Sequence, residues 1–342
     1  MPNNIVLAKK YTDLLDEVYC LASVTSDLTG DASMMRAGAN ANEILYPQVA
    51  VSGLGDYDRN SGYTNGTVDV EWATTKFNYD RGTKISVDSM DDEETFNVAF
   101  GKGVSELMRT KVAPEADAFT FATICGLSGI SKATPAAYSN ASDFLAALIT
   151  AKNTMDEDEV PEENRYLYAT PTLINGIMAL DTTKSREIMN TFAAVKKVPQ
   201  SRFYTAIDLL DGKTTGETAG HYRKHGDHYV ECESTDTGAL HIVANTETPS
   251  ATEIKLSSVT PVEDSTYTPA VGDYVKVVSG KDLNFMIIHK PCLIKFDKHV
   301  VGSMIHPDNN PDSDSWISKY RKYGIVDVYA NKRAGIYISH KI

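Results

Sequence analysis

The chain has 342 residues, a hydrophobic fraction of 42% and a formal net charge of -13. That is long enough for one large domain or two ordinary ones, and apolar enough to fold. Lys and Arg are dispersed in short clusters ("VKKV", "YRKHG", "SKYRKYG"), which argues against tight wrapping of nucleic acid, because phosphates are neutralised by clustered bases.

No run of about 18 apolar residues occurs, so no membrane span is expected. The opening "MPNNIVLAKKYTDLLDEVY" carries charges inside its apolar part and lacks a small-residue cleavage pattern; it reads as mature chain. Cys20, Cys125, Cys232 and Cys292 are scattered without a CxxC pair, which fits a reducing compartment and gives no disulfide framework.

In chain order, Tyr11, Leu14, Leu15, Val18 and Tyr19 recur at helical spacing. A small, polar, Gly- and Asn-containing stretch follows to about residue 55 and reads as an extended arm. From Thr67 the period becomes two. Val68, Val70 and Trp72 share one face, and after "NYDRG" Ile85 and Val87 alternate with polar residues. The pattern predicts a two-stranded hairpin with a sparse apolar face, with no third strand supplied locally. An isolated hairpin is marginal in water, so something must cover that face.

"MDDEETFNVAFGKGVSELMRTKV" is the strongest helical pattern. Asp91 serves as N-cap with Glu94 three residues on, and Phe96, Phe100, Val104, Leu107 and Met108 form one stripe. Gly101 and Gly103 each weaken a helix interior by about 1 kcal/mol relative to Ala, which points to close packing or a bend there. A second helix is expected from "APEADAF", with Pro114 in its first turn and Gly126 just past its end. A third is expected over "SDFLAALITAKNTM", with Phe144, Leu145, Leu148 and Ile149 inward and Ser142 as cap. "RYLYATP" reads as a buried strand entering a helix at Pro171.

The composition shifts at Asp211 to Thr, Gly, Ser and Glu with short strand-like runs, which predicts a β-rich insertion over 211–281. The flanking "RFYTAIDLL" and "LNFMIIHKPCLIKF" read as strands of one sheet. "KYGIVDVYANKRAGIYISH" reads as two strands around a turn.

Chemical motifs are sparse. "HYRKHGDHYVEC" offers His221, His225, His228 and Cys232, residue types that ligate zinc and could converge on a helix at spacings of three and four; a His-rich surface hairpin is the plainer reading. "NNPDSD" has a calcium-loop composition without the Gly and terminal Glu of an EF-hand, and reads as an Asx-rich turn. There is no GxSxG, HExxH, Walker lysine or GxGxxG after a strand. No catalytic residue, cofactor or enzymatic activity is therefore expected.

At "DRGTKISVDSMDDEETF", "VAPEADAF", "LNFMIIHKP" and "YGIVDVYANKRAGIYIS" the sequence resembles the major capsid proteins of tailed bacteriophages, in particular those of phages and prophages of Gram-positive bacteria. The resemblance covers most of the chain outside 211–281. It implies an α+β fold with an N-terminal arm (1–48), an extended hairpin loop (49–90) and a peripheral domain with a long spine helix (91–140). An axial domain (141–210), the β-rich insertion (211–281) and a return to the axial and peripheral sheets (282–342) complete it. It further implies self-assembly into pentamers and hexamers of an icosahedral head in the virion, built in the host cytoplasm. Scaffold and portal proteins would be partners, and double-stranded DNA would be enclosed without sequence-specific binding. Val68, Val70, Trp72, Ile85 and Val87 become candidate intersubunit contacts. Some members of the family crosslink subunits through a lysine, a part that Lys76 or Lys84 could take. The alternatives are an encapsulin-like compartment and, in a different class, a metal-binding enzyme or ligand-binding module built on His221–Cys232.

Overall fold

The computed structural model describes residues 23–30, 36–37, 43–57, 59, 62–63, 65–90, 104–180, 182–213, 222–226, 228–232, 237–243, 253–255, 261–262, 274–277 and 280–342; for 36–37, 50, 228–232, 237–243, 253–255, 261–262, 274–277, 299 and 301 this extends to the backbone only. The expected N-terminal helix, the capping residues Asp91 and Glu94, the Gly101/Gly103 pair and His221 lie outside the described residues.

In chain order the strands begin with Arg36–Ala37 (β1), Glu43–Val51 (β2), Val68–Lys76 (β3) and Tyr79–Asp88 (β4). A helical stretch from 104 passes through a π turn at Met108–Val112 into Ala113–Gly126 (α1). Ser131–Lys132 (β5), Ala141–Glu157 (α2), Arg165–Ala169 (β6), Pro171–Leu180 (α3), Thr183–Asn190 (α4) and Ala194–Lys197 (β7) follow. Then come Ile207–Leu209 (β8), Tyr222–Lys224 (β9), His228–Cys232 (β10), Thr237–Val243 (β11), Glu253–Lys255 (β12), Pro261–Val262 (β13) and Tyr274–Val277 (β14). Leu283–His289 (β15), Leu293–Ile305 (β16), Ser315–Val328 (β17) and Ile336–His340 (β18) close the chain. Among the described residues no helix is long and apolar enough to cross a membrane.

The central sheet has the order β5-β18-β15-β6-β7. β15 runs antiparallel to both β6 and β18, and β7 and β5 pair parallel at the two edges. Strand β15 is apolar on both sides, as a strand covered on both faces must be. Met286 and Ile288 pack with Phe121 and Ile124 of α1, and Phe285 and Ile287 pack with Phe144 and Leu148 of α2 and Ile174 and Ile177 of α3. The fold is thus mixed helix and sheet, with its core on both sides of this sheet.

The residues after Val112 do not start a separate helix. Pro114 has no amide hydrogen and its ring crowds the carbonyl four residues back, which strains regular α geometry there. The π turn shifts the bonding instead: the Ala113 N–H donates to Met108 O, and the helix continues unbroken. In α2 the inward set is Phe144, Leu148, Ala151 and Met155, and Ile149 is exposed; Asn140, not Ser142, precedes the helix. Leu145 packs against this cluster as expected, whereas Ile149, five positions after Phe144, falls off the i, i+4, i+7 stripe.

The strands flanking the insertion do not share one sheet. β15 belongs to the central sheet, whereas β8 pairs with β9 in a two-stranded sheet among the described residues. β16 and the first strand of "KYGIVDV", within β17, form a separate sheet of order β16-β17-β4, and β18 returns to the central one. Strands β10 to β14 form a sheet of their own, order β12-β11-β10-β14-β13. It leaves and rejoins the body at one point, where Gly280 N–H donates to His225 O at 2.9 Å. Gly280 is required by close approach: a Cβ would stand 2.4 Å from Ala206 O.

Candidate assembly interface

The expected β3–β4 hairpin is not formed. β3 pairs along its whole length with β2, and β4 pairs with β17 from Tyr79↔Gly324 to Asp88↔Ser315. The third strand was supplied by residues 43–51, whose "YPQVAV" already alternates with period two. The chain crosses between sheets at Phe77–Asn78, where the Asn78 side chain replaces the missing ladder. Its Nδ2 donates to Val326 O at 2.8 Å and its Oδ1 accepts from Val326 N at 3.1 Å. Gly82 in "NYDRG" is not a turn residue. It lies in β4, where a Cβ would meet Tyr320 O at 2.8 Å.

This rearrangement creates an arm with two unlike faces. Directly opposed residues of antiparallel strands point to the same side, so Pro47/Trp72, Val49/Val70 and Val51/Val68 form an apolar ladder on one face. Val49 and Val70 are each 58% exposed, Val51 69%, Val68 64% and Trp72 43%. Leu54, Tyr57 and Tyr63 beyond the ladder are exposed as well. On the reverse face the base is covered: Ile44 and Tyr46 pack with Ile294 and Ile325, beside Ala73, Phe77 and Tyr329. Exposed apolar residues in a contiguous set, unlike scattered ones, mark an interaction surface.

The base is anchored by polar contacts. Thr75 Oγ1 donates to Asp327 Oδ2 at 2.5 Å. Arg81 makes a bidentate pair with the buried Glu115 of α1, Nε to Oε1 at 2.8 Å and NH2 to Oε2 at 3.1 Å. Tyr79 OH also donates to Glu115 Oε1 at 3.1 Å. Burial, reinforced by the Glu115 charge, pushes the Tyr79 phenol well above its ordinary range, so it stays a donor. Arg321 clamps Asp80 with two bonds of 2.8 and 2.6 Å across β17 and β4.

Of the residues expected to share one apolar face, Val68, Val70 and Trp72 lie on the arm. Ile85 and Val87 do not. They sit on β4 in the body, where Val87 packs beside Val104, Met108 and Tyr320. Lys76 and Lys84 are exposed, Lys76 at the end of β3 and Lys84 opposite Lys319 on β4, so neither occupies the desolvated pocket that would make an amine nucleophilic.

The His-rich segment is strand, not helix. His228 and Cys232 stand at the two ends of β10, about 13 Å apart along an extended chain. The separation removes the helical convergence on which the metal reading rested. His225 Nδ1 hydrogen-bonds to Asp208 Oδ1. Among the described residues no group of three His, Cys, Asp or Glu could hold a metal ion. "NNPDSD" is closed by Asn310, whose Oδ1 accepts from Asp312 N at 3.2 Å and whose Nδ2 donates to Ser313 Oγ at 3.1 Å, an Asx turn.

A second structural feature, invisible in the sequence, ties residues 23–30 to the core. Asp117 is fully buried in α1 and accepts hydrogens from Ser23 Oγ at 2.7 Å, Val24 N at 3.0 Å, and Thr25 N and Oγ1 at 3.1 and 2.7 Å. Arg202 pairs with it at 3.1 Å. Lys295, also buried, donates to Thr25 O and Oγ1 at 2.8 and 2.6 Å. Burial pushes the Lys295 ammonium down to about 8, with the Lys322 charge acting in the same direction.

No protein-family model matches the chain, and no curated protein matches it. Among solved structures the chain is similar to one from Mycobacterium phage Che8, at 11% identity over 93% of this chain and 90% of that one, with a TM-score of 0.46. It is also similar to a chain of the virus-like particle from Pyrococcus furiosus (9% identity, 97% and 99% covered, TM-score 0.48) and to one from the capsid of Staphylococcus phage Andhra (10%, 92% and 83%, TM-score 0.43).

Proposed function

We propose that the chain is the major capsid protein of a tailed phage, a structural subunit that assembles with its own copies into the head shell around double-stranded DNA. The observation that carries this reading is the arm: strands β2 and β3 of a sheet of order β1-β2-β3, fixed at the base where β1 pairs, with an exposed outer apolar ladder. A surface of this kind is stabilised by lying across a neighbour, and many such contacts acting together hold a shell that no single contact would. The four sequence segments that resemble tailed-phage capsid proteins support it independently.

On this reading the unbroken helix 104–126 is the described part of the spine helix, the β16-β17-β4 sheet is the peripheral sheet, the central sheet belongs to the axial domain, and β10–β14 are the insertion. The role is structural and non-enzymatic, and the location is the virion. Sedimentation of the purified chain with analysis of its contents tests it. Large particles with packaged or packageable DNA are expected, whereas particles loaded with a protein cargo would replace the virion reading by the encapsulin-like one.

A further inference from the structure

A basic cleft and an acidic turn lie at opposite ends of the central sheet. The cleft, about 470 Å³, opens between the π turn, the 200–202 turn and β9. Arg109, Lys111, Arg202, Arg223 and Lys224 line it, and no carboxylate does. Four of these cations are paired with carboxylates set outside the lining: Glu106 with Arg109, Asp117 with Arg202, Asp208 with Arg223 and Asp282 with Lys224. Lys111 has no ion pair among the described residues and is exposed. In a chain of net charge -13 this concentration of cations stands out.

The acidic turn is 156–163, with six carboxylates in eight residues. Its conformation is fixed from within. Asp158 N donates to Thr154 O and Val160 N to Met155 O, at 3.0 Å each. The buried Arg165 reaches back to Val160 O and Pro161 O and pairs with Asp156 at 2.7 Å. Glu157, Asp158, Glu159 and Glu163 remain exposed, with no ion pair among the described residues. A charged turn held rigid before binding loses little entropy when it docks.

The two features cannot meet within one chain. Leu283 N bonds to Phe203 O beside the cleft, while at the other end of β15 Lys290 N bonds to Asn164 O below the acidic turn. Six strand steps, about 20 Å, separate these points. We propose that the acidic turn of one copy docks in the basic cleft of the next, a head-to-tail contact that repeats around a ring. It rests on the shell reading only in that copies must meet. The net charge of -13 repels a phosphate backbone and another copy alike; what favours a second copy is the local complementarity of its acidic turn to the cleft.

The test uses the full chain with Lys111→Glu/Arg223→Glu in one variant and Glu157→Lys/Asp158→Lys in another. All four residues are exposed, and a thermal melt checks folding. Each variant alone is expected to self-associate about tenfold more weakly in sedimentation at low salt. Mixing them pairs the reversed cleft with the reversed turn and the native cleft with the native turn, and is expected to restore association. Variants that assemble like the parent, or a mixture that fails to recover, would overturn the contact while leaving the shell reading intact. A parent chain that never associates would instead sink the shell reading. Loss of binding to a labelled DNA duplex in the cleft variant, with self-association unchanged, would assign the cleft to nucleic acid and also overturn the proposal.

Discussion

Val49 stands directly across from Val70 on the arm, and the two are equally exposed, at 58% each. A cross-strand valine pair ordinarily faces a core, where each side chain contributes about 1.5–3 kcal/mol by burial. Here both face outward at the far end of a projection whose base is clamped. Val70→Asp is expected to leave the subunit folded, with its circular dichroism and melting temperature near the parent's. Its self-association should fall by about 100-fold, because a charge would be buried at the contact. Sedimentation equilibrium checks this, and undiminished association would show that the ladder is not a contact.

The Asp117 network holds residues 23–30 against α1 and β16. Asp117→Ala would remove the ion pair to Arg202 and the acceptor of four further bonds. A loss of about 3–5 kcal/mol is expected in urea unfolding, as for a broken buried pair, with earlier proteolytic cleavage near residues 23–30. A near-parent unfolding midpoint would mean the network contributes little.

Lys295 links this network to pH. The unfolded chain keeps the lysine proton up to the ordinary value of 10.5, whereas the folded chain releases it near 8. Between these values the unfolded state holds the extra proton, so stability rises as pH rises through that window, and the penalty of burying the charge is fully present below about 8. Comparing urea midpoints at about pH 7.5 and about pH 9.5, the parent should gain more stability than Lys295→Met. Equal gains in the two proteins would contradict the assignment to Lys295.

The hydrogen bond between His225 and Gly280 marks where the insertion can be removed. Excising 227–279 and joining the ends through a short Gly/Ser bridge should leave a soluble chain with the parent's far-ultraviolet helix signal. A cut at 211–281 would take β9 from β8 and should be less stable. Aggregation of the first deletion would show that β10–β14 are needed by the body.

Much of the fold was legible because the relevant residues carry strong local signals. The apolar run of β15 and the Pro171 start of α3 correspond to observed elements, whereas the composition shift at 211 precedes β9, which still pairs with β8, and the separate sheet begins only at His228. What failed was pairing. Val68–Trp72 and Ile85–Val87 look like one hairpin because adjacent strands usually pair. The chain passes from one sheet to another at Phe77–Asn78, and the partners come from residues 43–51 and 315–324. Sequence periodicity reports which face a residue takes, not which distant strand lies beside it. For the same reason half of the candidate interface was found, Val68, Val70 and Trp72, while Pro47, Val49 and Val51 were missed. Asp117 gave no signal either, since its partners lie 85 to 94 positions away.

Electron microscopy of the purified full chain is the sharpest check on shell formation. Closed, roughly spherical shells of uniform size, built from rings of subunits, are expected, and none from the Val70→Asp variant under the same conditions. A parent chain that stays monomeric at high concentration, or shells that form equally well from Val70→Asp, would contradict that expectation.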